Sequence, residues 1–123
     1  MMSADEFRRL ALSLPGATES APLGVPAFFV RTKNFAGQGH PEGERADVKL
    51  APAEQAEYLA ADPHAFLAKG PRGRRGWTVV DMAEANPGRL RAALVAAWRN
   101  AAPRPLVREY EGSGGAAEQV QGP

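Results

Sequence analysis

The sequence predicts an α+β domain of two layers, an antiparallel sheet with helices packed on one face, in the order α-β-β-β-α-β-β-α. Three observations lead there. Stretches with helical spacing of apolar residues stand near both ends of the chain, and between them short period-two stretches follow one another through short loops. The length of 123 residues, with 44% hydrophobic and 24% charged side chains, suits one globular core. Residues 1–107 are assigned to this domain and residues 108–123 to a disordered tail.

The first helix is predicted over residues 4–14. Ser3 and Glu6 have the spacing of a capping box, in which hydroxyl and carboxylate each accept a backbone N–H left free at a helix start. Phe7, Leu10, Ala11 and Leu14 then share one face until Pro15-Gly16 ends the run. Val25–Arg31 alternates, with Phe28 and Val30 to one side and Phe29 and Arg31 to the other, and reads as a strand. Thr32-Lys33-Asn34 is its turn, Phe35-Ala36 opens a second strand, Gly37–Gly43 is loop and Asp47–Leu50 is a third strand.

Pro52 suits the first position of a helix, where its missing N–H has no partner, and Ala53–Ala61 continues with helix formers until Asp62-Pro63. Phe66-Leu67 is a short strand, Gly70–Gly76 a loop and Trp77–Met82 a strand with a buried Trp77. Asn86-Pro87 starts the last helix, whose apolar stripe is Leu90, Ala93, Leu94, Ala97 and Trp98 and which stops before Pro103. From Arg108 onward, Gly-Ser-Gly-Gly and Gln-Val-Gln-Gly-Pro lack the apolar content to offset ordering entropy.

Composition narrows the function. There is no cysteine, which excludes disulfides and thiolate metal sites and suits a reducing cytoplasm. The N-terminal residues lack a basic-then-apolar signal pattern and no apolar stretch approaches the ~20 residues of a membrane helix, so the chain is expected to be cytoplasmic with no membrane partner. His40 and His64 stand apart from any paired metal-ligand spacing, and Asp47 with Lys49 reads as a surface ion pair. No nucleophile-base arrangement is visible, so no enzyme, metal or cofactor is expected.

The strongest local signal is Lys69-Gly-Pro-Arg72-Gly-Arg74-Arg75-Gly-Trp77, four cations within seven residues, with no acid between Asp62 and Asp81. Guanidinium groups donate paired hydrogen bonds to phosphate, glycines allow close backbone approach, and an adjacent indole offers a stacking surface. The plain alternative is a solvated loop. Gly70, Gly73 and Gly76 do not form a phosphate loop, because the Gly-Lys-Ser/Thr ending is missing and a strand follows. A second basic place is the hairpin carrying Arg31 and Lys33, in a segment without acids from Ser20 to Pro41. Up to Arg108 the chain has 15 cations against 11 acids, a net +4, which is only mildly basic.

Ala11-Leu-Ser-Leu-Pro-Gly16, Gly24-Val-Pro-Ala-Phe28, Lys33-Asn-Phe-Ala36, Val48-Lys-Leu50, Gly76-Trp-Thr78 and Ala97-Trp98 form an ordered series of short motifs. On that series the chain resembles the MmcQ/YjbR-like proteins, from about Phe7 to Leu106. The resemblance implies the same element order, a shape like that of bacterial frataxin-like proteins and secretion chaperones, and DNA binding through a double-wing arrangement. Lys33, Lys49 and Arg74-Arg75-Gly76-Trp77 then correspond to the family's recurring basic and aromatic positions. The expectation is a non-enzymatic module contacting double-stranded DNA through Arg31, Lys33, Lys49, Lys69, Arg72, Arg74 and Arg75. A small-molecule or peptide ligand, received by the sheet face or around Phe29, is the alternative.

Overall fold

A computed structural model describes residues 1–21, 24–38 and 44–112. Six strands, β1 Ala17–Ser20, β2 Ala27–Val30, β3 Lys33–Gly37, β4 Arg45–Lys49, β5 Phe66–Leu67 and β6 Trp77–Asp81, form one sheet. Its order is β1-β2-β3-β4-β6-β5 and every described pairing is antiparallel. The helices are α1 Ala4–Ser13, α2 Pro52–Ala61, α3 Gly70–Arg74, α4 Pro87–Ala101 and α5 Arg104–Gly112. The α+β class and all eight predicted elements are present, and β1, α3 and α5 are additional. His40, part of the loop expected over Gly37–Gly43, and residues 113–123 lie outside the described residues.

One face of the sheet carries the core. Phe28, Ala36, Val48 and Thr78 stand in register across four strands, all fully buried. Against this row pack Phe7 and Ala11 of α1 and Leu90, Leu94 and Trp98 of α4, with Phe7 meeting Phe28 edge to face at 6.1 Å. The Ser3 hydroxyl accepts from the Glu6 amide at 3.1 Å and the Glu6 carboxylate accepts from the Ser3 amide at 2.8 Å, which completes the capping box. That acceptor role holds the Glu6 carboxyl below its usual range.

The β2–β3 hairpin turns on Arg31 and Thr32 rather than on Thr32-Lys33-Asn34, since Val30 pairs with Lys33. Arg31 takes a left-handed backbone, φ 56°. The register then shifts between Phe28 and Phe29, leaving Phe35 as the extra residue of a bulge. Asn34 secures it, its side-chain amide donating to the Phe28 carbonyl at 2.8 Å and the Ala36 carbonyl at 2.9 Å.

The three unexpected elements have distinct origins. β1 is short, polar and largely exposed, an edge strand whose Glu19 meets Arg8 of α1 at 2.7 Å; its sequence, Ala-Thr-Glu-Ser, carries no apolar alternation. α3 replaces the loop predicted over Gly70–Gly76 with one short helical segment begun by Gly70-Pro71. It is tied down by Gln55 of α2, whose side-chain amide donates to the Gly73 carbonyl at 3.0 Å and the Thr78 hydroxyl at 3.1 Å. α5 extends through Gly112, so residues 108–112 are helical rather than disordered. Its anchor is Tyr110, 5.2 Å from the Trp98 ring, with Glu111 accepting from Arg99 at 2.7 Å.

Candidate nucleic-acid interface

Antiparallel pairing carries most of the predicted cations to one end of the sheet. β2 ends and β3 begins at the hairpin bearing Arg31 and Lys33. β4 runs back antiparallel to β3 and reaches that same end at Lys49, which pairs with Trp77 at the start of β6. Arg74 and Arg75 immediately precede Trp77, and Lys69 follows the short β5 toward the same end. Arg31, Lys33, Lys49, Lys69, Arg74 and Arg75 are all exposed. Among the described residues, the ion pairs formed by the chain include none of these six. Glu44, Asp81 and Glu84 stand at the opposite end of the strands.

Arg72 is arranged differently. Its guanidinium lies 4.7 Å from the centre of the Trp77 ring and 3.6 Å from the Asp47 carboxylate. A cation over an indole face is attracted by the ring quadrupole, and Asp47 fixes the guanidinium from below. Asp47 therefore pairs across β4 with α3, not with its strand neighbour Lys49. Room for that carboxylate comes from Gly37, its partner in the sheet, where a Cβ would come within 2.8 Å of the Asp47 oxygen. Trp77, expected to be buried, is half-buried. It projects from the face opposite α1, α2 and α4, where Arg72 of the short α3 lies over its ring. Phe29 is half-buried on that same face, paired with Thr18.

Gly76 sets the position of this cluster. Its φ of 104° belongs to glycine, and a Cβ there would fall on the Leu50 carbonyl oxygen. The Gly76 carbonyl in turn accepts from the Leu50 amide at 2.9 Å and from the Thr78 hydroxyl at 3.2 Å. Close backbone approach at Gly76 thus docks the Arg74-Arg75 segment against the end of β4.

Beside this end, between the sheet and the last turn of α4, lies a cleft of about 660 Å³. Lys33 and Lys49 stand on its strand side, Trp77 and the buried Phe35 and Leu50 line it, and Asn100 belongs to its helical wall. The Lys33–Lys49–Trp77 convergence was legible only as three separate motifs, because their strands are distant in sequence. Gln55 and Asn100 carried no signal at all. Single amides acquire a role only from the carbonyls and carboxylates that the fold brings to them.

Burial pushes the Asp47 carboxyl above its ordinary value, against the pull of Arg72. In the unfolded chain the group titrates near about 3.9. The folded chain keeps the proton to higher pH, so across the interval between the two values stability falls as pH rises, and above it the buried charge is a constant penalty. Asp47→Asn is accordingly expected to raise stability at pH 7 and to lose that advantage below about pH 4. Urea unfolding at both pH values checks this; destabilisation at pH 7 that disappears below about pH 4 would show that the Arg72 contact outweighs desolvation.

An antiparallel sheet with α1, α2 and α4 on one face, its strand ends gathering exposed cations, defines a small α+β domain with a basic edge. The YjbR family model matches residues 12–100, and the chain belongs to the YjbR family. It is similar in fold to the crystal structure of Deinococcus radiodurans protein DR2400, described as a DUF419 domain, with a TM-score of 0.72 and 17% identity over 89% of this chain and 88% of that chain. At that identity the likeness is one of fold. No curated protein matches the chain. Among the described residues no helix is long and apolar enough to cross a membrane.

Proposed function

We propose that the chain is a non-enzymatic, cytoplasmic module that binds the phosphate backbone of duplex DNA with the cationic end of its sheet. One observation carries this reading. Six exposed cations from the β2–β3 hairpin, the end of β4, the segment after β5 and the α3–β6 junction are gathered at one end, while Asp47, midway along β4, is engaged by Arg72. Lys and Arg contacts to phosphate dominate nucleic-acid affinity and need no acid/base machinery. The hairpin and the α3–β6 junction supply cations from two separate parts of the chain, in keeping with a two-winged grip.

Lys49, Arg74 and Arg75 provide the test. Changing all three to alanine is expected to leave stability within about 0.5 kcal/mol per site, as for exposed side chains elsewhere. Affinity for duplex DNA should fall at all sequences alike, because phosphate contacts are insensitive to base identity. Arg9→Ala, an exposed cation on α1, should leave affinity nearly unchanged. Parent-like binding by the triple variant in an anisotropy titration would remove the cationic end from consideration.

A further inference from the structure

The cleft beside the cationic end has a chemistry of its own. Its size is that of a small-molecule site. Phe35, Leu50, Ala97 and Ala101 make much of its wall apolar, and the small side chains on α4 leave the space open. The two asparagines are already engaged: Asn34 donates to the Phe28 and Ala36 carbonyls, and Asn100 donates to Glu54 at 2.8 Å. Glu54 itself accepts from the Ala51 amide at 2.9 Å. The charged donors of the lining are the ammonium groups of Lys33 and Lys49, which have no ion-pair partner among the described residues.

We infer that this cleft binds a small organic anion, a flat apolar ring system bearing one acidic group. The acid lies toward Lys33 and Lys49 on the strand side. The opposite wall is the C-terminal end of α4, whose partial negative charge directs an anion away from it. The ring body occupies the apolar space between Phe35, Leu50 and the small side chains of α4. The inference is independent of the DNA reading, although the two share Lys33 and Lys49.

1-Naphthoate is a suitable probe, with 1-naphthalenemethanol as its neutral counterpart, read by ¹H–¹⁵N spectra of the full chain. The chain has two indole N–H groups, and that of Trp98 is donated to the Pro15 carbonyl inside the core. Naphthoate is expected to shift the Trp77 indole saturably and to leave that of Trp98 in place. The neutral alcohol should bind roughly tenfold or more weakly, because a charge-assisted hydrogen bond is missing. K33Q/K49Q should reduce naphthoate to the level of the alcohol while the remaining amide spectrum stays unchanged. Arg74→Ala/Arg75→Ala should bind naphthoate like the parent, so loss of DNA binding without loss of naphthoate binding separates the two sites. The cleft assignment is overturned by no saturable shift up to about 1 mM, by equal binding of acid and alcohol, or by naphthoate affinity that survives K33Q/K49Q. Intact DNA binding alongside any of those results would overturn the cleft alone.

Discussion

Replacing Trp98 by alanine is expected to remove about 3–5 kcal/mol of stability, the usual cost of deleting a large aromatic side chain from a packed core. Three consequences of the fold meet at this residue. The indole is fully buried in the stripe that α4 lays on the sheet. Its N–H donates to the Pro15 carbonyl at 2.9 Å, linking α4 to the turn that ends α1. Its ring receives Tyr110, so the docking of α5 depends on it. Trp98→Phe keeps most of the volume but leaves the Pro15 carbonyl without that donor, and its cost should be about 1–3 kcal/mol. Chemical denaturation of the two variants checks the order. Similar losses in both would mean that the hydrogen bond, not the volume, dominates.

Gly76→Ala is expected to be the most damaging small substitution near the site, at about 3 kcal/mol or more. An L side chain is strained at φ 104°, and the added Cβ would meet the Leu50 carbonyl oxygen, a backbone atom that cannot rotate away. Relief requires β6 to separate from β4 where Leu50 donates to Gly76. Gly70 is the matched control. Its φ is 64° but nothing lies near a Cβ there, so Gly70→Ala should cost only about 1–2 kcal/mol of backbone strain. Thermal unfolding of both variants, with the Trp77 signal as a local probe, measures the contrast; equal effects would show that steric contact with Leu50 is not what matters.

Most of the fold was legible because its signals are local. The Ser3-Glu6 capping box, the stripe from Leu90 to Trp98 and the alternation around Phe28 each specify an element without reference to the rest of the chain. β1 was missed because an edge strand paired on one side needs little apolar content, and Ala-Thr-Glu-Ser shows none. α5 was missed for another reason. A stripe of Leu106, Val107 and Tyr110 is readable, with Pro105 in the first turn where it is tolerated, but it stands between Pro103 and a glycine-rich end, both of which signal the close of a helix. α3 has little helical propensity, and Gln55, distant in sequence, holds it.

The site was legible in part. The density of cations in Lys69–Arg75 and at Arg31 and Lys33 could be read directly, and the resemblance supplied Lys49. Their convergence could not be read, since it follows from the order β3-β4-β6 at the centre of the sheet. The separate behaviour of Arg72 was equally hidden. It depends on an aspartate 25 positions earlier in sequence, admitted only because Gly37 lacks a side chain.

The salt dependence of duplex binding by the unmodified chain tests the central claim most directly. Each phosphate neutralised by a cation contributes about −0.9 to the slope of log affinity against log salt. With the hairpin and the α3–β6 junction both engaged, at least about four contacts form, so the slope should be roughly −3.6 or steeper. The triple variant at Lys49, Arg74 and Arg75 should then be flatter by up to about three units. A parent chain that fails to bind a varied duplex pool at low salt, or that binds with a slope near zero, would contradict the assignment of this end of the sheet to phosphate recognition.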